Sequence, residues 1–280
     1  TTKKSTTKAN SKTTTKKTAK QSAGVTGKLP KVTVKEKKKI VFLGSEAAPF
    51  IATGGLADVL GSLPKALAKN KNLDVSVIIP MYSAINQEFK NKFKFLKSFN
   101  VSVSWRWQYA GVFYYEHEGV KFYFIDNEYY FKREGNIYGF YDDGERFAYF
   151  SRAALDTIAN LNIYPDILHC NDWQTGMIPL YLSDVYKDRP EFSATKSVYT
   201  IHNLKYQGRF SKSVITDLLG IGEEYFSEDK IKYYDGISFM KAGIVYADKV
   251  TTVSKTYAKE IQQAYYGEGL DGLLRQKSDK

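Results

Sequence analysis

The sequence predicts an α/β fold, doubly wound about a mostly parallel sheet into which a β-meander is inserted. Three observations predict it. Short apolar, β-branched runs alternate with stretches whose apolar residues recur at helical spacing. Strands separated in this way by helices are joined by right-handed crossovers, which gives a parallel sheet covered on both faces. With 43% hydrophobic and 15% aromatic residues in 280, there is ample material for one such core. One segment, residues 99–125, breaks the alternation with period-2 patterning and reads as the meander.

The elements follow in order. "KIVFLG" (39–44) is a buried-type strand ended by Gly44. Leu56, Val59, Leu60, Leu63 and Leu67 then mark a helix, with Pro64 as a local kink. "DVSVIIP" (74–80) is the second strand, and the meander is expected to turn near Ala110-Gly111 and Glu118-Gly119. A helix over 144–161 precedes the strand 166–170, and a helix over 175–186 precedes the strand 196–201. A helix over 236–247, a strand over 249–254 and a helix over 255–263 complete a Rossmann-like domain of about 240 residues.

The net charge of +11 is a local property. Residues 1–39 hold 13 lysines against one acid, Glu36, so the remainder is near neutral. The segment 1–38 is a Thr/Lys/Ser-rich stretch expected to be a disordered basic tail, either a solvating spacer or a weak tether to an anionic surface. No apolar run reaches membrane-spanning length and no secretory pattern opens the chain. The lone cysteine, Cys170, allows no internal disulfide and fits a cytoplasmic location. The absence of an initiator Met and the uncapped ending "LLRQKSDK" suggest that both ends are cut points of a longer protein.

Polar residues gather after three strands, and in an open parallel sheet all three loops lie on the ligand-binding rim. They are "SEAAPFIATGGLAD", "NDWQTG" and "HNLKYQG", carrying Glu46, Asp58, Asp172, Trp173, His202 and Asn203. Gly54-Gly55 opens a helix, where free amides and the helix dipole favour an anion. The same pair reads equally as a tight turn, since it is neither a Walker loop nor a dinucleotide fingerprint. Asp172-Trp173 offers an acceptor beside a flat apolar ring, which suits a sugar; its other reading is a helix cap beside a core Trp. His202 has a functional place on the rim, whereas His169 reads as buried structure and His117 as surface. These scattered histidines do not make a metal site. Trp105, Trp107, Tyr109, Phe113, Tyr114 and Tyr115 are expected mostly to pack the sheet, and Asp142-Asp143 to introduce the following helix.

Six ordered stretches, "SEAAPFIATGGLADVLGSLPKAL", "DDGERFAYFSRAAL", "HCNDWQTGMIPLYL", "TIHNLKYQGRF", "SFMKAGIVYADKVTTVSKTYAKEI" and "GEGLDGLLRQ", resemble the glycogen and bacterial or plant starch synthases of glycosyltransferase family 5. The resemblance runs from about Lys38 to the end. It implies the N-terminal, acceptor-side half of a GT-B fold over 39–280, with the donor-binding C-terminal domain absent from this chain. It further implies a retaining glucosyltransferase that moves glucose from ADP-glucose to the non-reducing end of an α-1,4-glucan, glycogen or starch. No cofactor, metal, specific nucleic acid or membrane would take part.

Carried over by motif, His202, Asp172 and Asp58 would be the catalytic-site residues. Thr53, Gly54 and Gly55 would approach the donor, and Glu46, Tyr138, Trp173 and Asn203 would line the substrate cleft. Ala52 departs from the pattern, which has Lys there. Lys65, Lys205 or Lys241 would have to replace the missing charge. An alternative implied by Ala52 is a non-catalytic glucan-binding or initiation scaffold.

Overall fold

The computed structural model describes residues 36–280. The expected disorder of the basic tail lies outside them, apart from the last residues, of which Lys38 already begins a strand. In chain order the elements are β1 (Lys38–Leu43), α1 (Gly55–Ala68), β2 (Leu73–Pro80), α2 (Gln87–Lys90), β3 (Lys94–Val103), β4 (Arg106–His117) and β5 (Val120–Asp126). Then come α3 (Glu128–Phe131), α4 (Asp143–Asn160), β6 (Ile167–Asn171), α5 (Met177–Ser183), β7 (Lys196–Ile201) and β8 (Arg209–Ser211). The chain continues through β9 (Lys232–Tyr233), β10 (Gly236–Ser238), α6 (Phe239–Tyr246), β11 (Lys249–Thr252), α7 (Lys255–Glu260) and α8 (Asp271–Gln276).

Eight strands form one sheet in the order β11-β7-β6-β1-β2-β5-β4-β3, and β8, β10 and β9 form a small second one. Strand β1 pairs in parallel with both β2 and β6, so the order reverses direction at β1. The crevice above such a reversal is where an open α/β sheet binds ligands. The central strands are apolar on both faces, as helix-covered parallel strands must be: Val41, Phe42, Leu43, Val77, Ile78 and Ile79 are at most 1% exposed. Helix α1 buries Leu56, Ala57, Leu60, Gly61 and Pro64 and runs on through the proline, while Leu63 faces outward. Gly61 permits this packing, because a Cβ there would sit 2.8 Å from the Ala48 carbonyl oxygen.

The meander differs from expectation. Its strands start earlier, at Lys94, and its first turn is at Ser104-Trp105, with Ser104 at φ 53°. Gly111 lies inside β4, beneath the ring of Tyr109, and the second turn is at Glu118-Gly119 as expected. Strand β4 is antiparallel to β3 and β5, and β5 pairs in parallel with β2, so the meander extends the main sheet as its edge. Three helices are shorter than expected, α7 simply ending at Glu260. Residues 236–238 are a strand because Ser238 stops the sheet and caps α6, its Oγ accepting from the Lys241 amide at 3.1 Å. The stretch 175–186 becomes a 3₁₀ turn (Trp173–Thr175) followed by α5, with Gly176 packed against the Phe239 carbonyl at their junction.

Helix α4 is buried along most of its length and carries Arg146, 1% exposed. The Arg146 guanidinium donates to Asp143 Oδ1 (2.5 Å), the Ile137 carbonyl (3.1 Å) and, from Nε, the Tyr130 carbonyl (2.9 Å). These bonds hold residues 130–143 on the rim. Arg146→Met would leave the buried Asp143 carboxylate without its cation, with only the Gly139 amide still donating to it (2.8 Å), and two carbonyls without donors, so a loss of about 3–5 kcal/mol in unfolding free energy is expected. Urea denaturation checks it, and a loss under about 1 kcal/mol would show that the segment is held by something else.

Candidate active-site cleft

A cleft of about 880 Å³ opens at the carboxyl ends of β1, β6 and β7. Of the residues singled out from the sequence, Glu46, Thr53, Gly54, Gly55, Tyr138, Asp172, Trp173, His202 and Asn203 line it. Ala52 and Asp58 do not; both are exposed, Asp58 on the first turn of α1.

The loop after β1 is closed by Glu46, which is 3% exposed. Its Oε2 accepts from the Thr53 amide (2.5 Å) and the Thr53 hydroxyl (2.8 Å), so it acts as a clasp for the loop. The clasp delivers Gly54, in extended backbone (φ −169°), to the start of α1. A Cβ at Gly54 or Gly55 would meet no protein atom within 4 Å, so internal packing demands glycine at neither position. The space over them belongs to the cleft, and among the described residues no acceptor bonds the Gly55 and Leu56 amides.

The loop after β6 turns on Asp172, at φ 58° and ψ 179°. Only glycine visits that region readily, and holding Asp there costs of order 1–3 kcal/mol. Asp172 Oδ1 accepts from the His202 amide (2.8 Å) and the Asn203 amide (3.3 Å), which ties the β6 loop to the β7 loop. It makes no cap of its own helix. Burial pushes its carboxyl up to about 7, against the two amide bonds that favour the charged form.

His202 is fixed in its turn. Asn171 Nδ2 donates to the carbonyls of Leu43 (3.1 Å) and His169 (3.0 Å), so Asn171 Oδ1 is the acceptor toward the imidazole. The Nε2–H of His202 therefore donates to it at 3.0 Å, leaving the Nδ1 lone pair as the acceptor. Burial lowers the His202 pKa to about 4, so the ring is neutral at pH 7.

Tyr138 packs at the cleft wall with its hydroxyl 2.7 Å from Ser45 Oγ, and burial holds its pKa well above the ordinary 10. Trp173 is 9% exposed and contacts Phe147, Phe210 and Phe239 at ring-centroid distances of 5.0–6.4 Å. It is a core residue with one edge on the cleft, beside an Asp172 that caps no helix.

Sequence reasoning missed Leu56, Val59, Gly139, Asp143, Gln174, Tyr206 and Val253. Gln174 and Tyr206 sit inside quoted motifs, which was the available signal. Gln174 Oε1 is buried without a partner, a polar group turned to no protein donor. Asp143 begins α4 as expected but also reaches the cleft, paired to Arg146. His169 is held by Thr200 Oγ1 at 2.6 Å, as structure. His117 is no surface group; it packs half-buried on Phe50 and Phe89 because α2 and the loop before it cover that sheet face.

The lining includes three carboxylates, Glu46, Asp143 and Asp172, and no Lys or Arg. Lys65 pairs with Glu118, and Lys241 donates to the carbonyls of Glu228 (2.7 Å) and Lys232 (2.6 Å). Lys205 lines a neighbouring hollow and not this cleft. Among the described residues no three His, Cys, Asp or Glu side chains are grouped as metal ligands, and no helix is long and apolar enough to cross a membrane.

A cleft at the reversal point of a doubly wound parallel sheet, lined by Trp and Leu beside carboxylates and an imidazole, places the chain among α/β domains that take ligands at their strand ends. The starch synthase catalytic domain family matches residues 39–276, and the chain belongs to that family. It is 59% identical over 240 residues to a glycogen synthase of Clostridium novyi (strain NT), covering 85% of this chain and 50% of that protein. It is 56% identical over 241 residues to a glycogen synthase of Clostridium acetobutylicum, covering 86% and 50%. The catalytic domain of starch synthase IV from Arabidopsis thaliana, solved bound to ADP and acarbose, superposes with a TM-score of 0.81 at 30% identity, over 88% of this chain and 50% of that one. The chain thus spans about half the length of the curated relatives it matches.

The Asp172 geometry carries a pH prediction. Its native pKa of about 7 exceeds the unfolded value of about 3.9. The native state therefore keeps a proton that the unfolded chain releases between those values, and stability from this site is lost as pH rises through about 7. Asp172→Asn keeps an acceptor for both amides and removes the titration. Its stability relative to the parent should climb between pH 4 and 7 and then level off. His202 acts in the opposite sense over pH 4–6.5 but cancels in the comparison. Denaturation midpoints across pH test this, and a difference flat with pH would overturn it.

Proposed function

We propose that this domain is the acceptor-side half of a retaining glucosyltransferase that moves glucose from ADP-glucose to the non-reducing end of an α-1,4-glucan. The observation that carries the reading is the convergence of three strand-end loops on one cleft. There the neutral His202, the strained Asp172 turn and the open glycine pair face a common space. Family membership and the likeness to an ADP- and acarbose-bound starch synthase support it.

In this reading the His202 Nδ1 lone pair accepts a glucosyl hydroxyl. Asp172 positions His202 and Asn203 through their amides, and Tyr138 and Trp173 supply apolar wall. The bond from the sugar C1 to the diphosphate breaks, one from C1 to the acceptor hydroxyl oxygen forms on the same face, and the hydroxyl proton passes to the departing diphosphate oxygen. Fixed dipoles stabilise the oxocarbenium-like sugar and the departing diphosphate. At the donor this chain offers amides and the α1 dipole, so the cations that the diphosphate needs would come from a second domain of the kind that fills the other half of the relatives' length. No metal would take part. A cytoplasmic setting is part of the same proposal.

One observation favours a second reading. With Ala52 in place of Lys and no cation on the cleft wall, the protein could hold glucan without transferring glucose, as a binding or initiation scaffold. Assay of the full-length protein with ADP-glucose and UDP-glucose decides between them. Transfer from ADP-glucose is expected, with none from residues 1–280 alone; no transfer by the full-length protein with either donor establishes the scaffold. Ala52→Lys adds one charge-assisted contact of about 1–3 kcal/mol, so a donor KM lowered about tenfold is expected. An unchanged KM would show that the amides suffice.

Gly55→Ala separates ligand space from folding need. Its denaturation midpoint should hold or rise, by up to about 1 kcal/mol of helix propensity, while the KM for ADP-glucose increases. A variant that loses stability, or keeps its KM, would place the glycine's role in the fold instead.

A further inference from the structure

Beyond the cleft, the largest departure from expected packing is on the edge hairpin. Trp107 is 70% exposed and Tyr109 47% exposed, though both lie on a regular strand of the main sheet. Alternation puts them on the same face as Gly111, Phe113 and Tyr115, since β4 runs without a bulge through these positions. Further down that face Tyr115 is covered by Phe50, Phe89 and Phe93. The cover ends before Tyr109.

The two rings are presented in a fixed way. A Cβ at Gly111 would lie 2.6 Å from the Tyr109 hydroxyl and 3.2–3.3 Å from its ring carbons, so the phenol lies down along the strand over the glycine. The strand is anchored from its edges. The Tyr109 carbonyl accepts from Asn127 Nδ2 (2.8 Å) and the Tyr149 hydroxyl (2.7 Å). At the turn, Arg106 bonds Asp217 through both carboxylate oxygens (3.1 and 3.2 Å), and the Ser104 hydroxyl donates to the Thr216 carbonyl (2.5 Å).

Polar groups flank the rings. Tyr109 stands opposite Asn100 and Trp107 opposite Ser102, with Ser98 opposite Gly111. The Asn100 side chain makes no hydrogen bond among the described residues. Flat rings about 7 Å apart along a strand, edged by an amide and hydroxyls, fit the apolar C–H faces and hydroxyl edges of successive sugars. A protein interface would instead centre on a dry apolar cluster.

We propose that this face of the β3–β4 hairpin is a surface site for an α-glucan chain, with sugar rings stacked on Trp107 and Tyr109. The choice of glucan rests on the acceptor reading of the cleft. The placement suits it, because Tyr109 lies beyond the carboxyl end of β5, on the same rim as the cleft. Three strand spacings, roughly 14 Å, separate β4 from β1. A polymer held on the hairpin keeps its ends at high local concentration near the cleft, while short acceptors gain nothing.

The test compares the full-length protein with its Trp107→Ala/Tyr109→Ala variant, using glycogen affinity electrophoresis and kinetics on glycogen and maltotriose. Retention by glycogen should weaken about tenfold and the KM for glycogen rise in parallel, with kcat and the KM for maltotriose unchanged. Gly111→Ala, which lifts the Tyr109 ring without touching Trp107, should give an intermediate loss. Unchanged glycogen affinity in a double variant of native stability overturns the site. So does a double variant that loses self-association in sedimentation while keeping its glycogen affinity, since that assigns the face to a second copy. A parent that binds glycogen through these rings yet transfers no glucose refutes the cleft reading and leaves this site standing.

Discussion

The contact on which the site depends is the one from the Asp172 carboxylate to the amides of His202 and Asn203. It bridges the ends of β6 and β7, and it offsets the cost of the Asp172 backbone at φ 58°. Asn171, the residue before it, carries the constraint one strand further by donating to the Leu43 carbonyl at the end of β1 while accepting from His202. Three strand ends are thus locked by two adjacent side chains. The tautomer of His202, its orientation and the width of the cleft mouth follow from that lock and not from the sheet ladder alone. A buried carboxylate with a pKa near 7 is a poor source of stability; what it supplies is the orientation of the His202 and Asn203 amides.

Much of this was legible in the sequence. The alternation of apolar runs and helical stretches located β1, β2, β6, β7 and β11, most plainly β1 and β2, whose buried stretches are mostly Val, Ile, Leu and Phe; β5, which also pairs in parallel, was hidden in the meander. The strand-end rule then gathered Glu46, Asp172, His202 and Asn203 without any coordinates. What stayed hidden has physical reasons. Gly111 reads as a turn because glycine usually marks one, yet its role is to make room for a ring two residues away on the same face, a relation no local pattern reveals. Asp58 has the spacing of a site residue, but a helix rotates each residue by about 100°, and its side chain comes to lie off the cleft. Exposure of Trp107 and Tyr109 depends on where covering segments stop, which is a tertiary fact.

The electrostatics divide the chemistry. Every cation that sequence alone could offer in place of the missing Lys is committed or displaced: Lys65 to Glu118, Lys241 to two carbonyls, Lys205 to the adjoining hollow. Of the three carboxylates on the cleft wall Asp143 is already paired to Arg146, yet no Lys or Arg lines the cleft to meet a diphosphate, so the amide-bearing helix start would need positive charge supplied across the cleft. The same wall is well suited to sugar hydroxyls, which need acceptors, apolar faces and no net charge.

Aromatic side chains make that division visible. Trp173 is packed by three phenylalanines and shows the cleft an edge, Tyr138 is locked to Ser45, and Trp107 and Tyr109 lie open on a braced strand. Residues of one chemical class thus form wall, floor and outer platform along a single rim, and their burial falls with distance from the β1 reversal. Under the proposed reading, a neutral, extended partner would be held over a long path of rings, and a charged, compact one would be left to groups that approach from the opposite side.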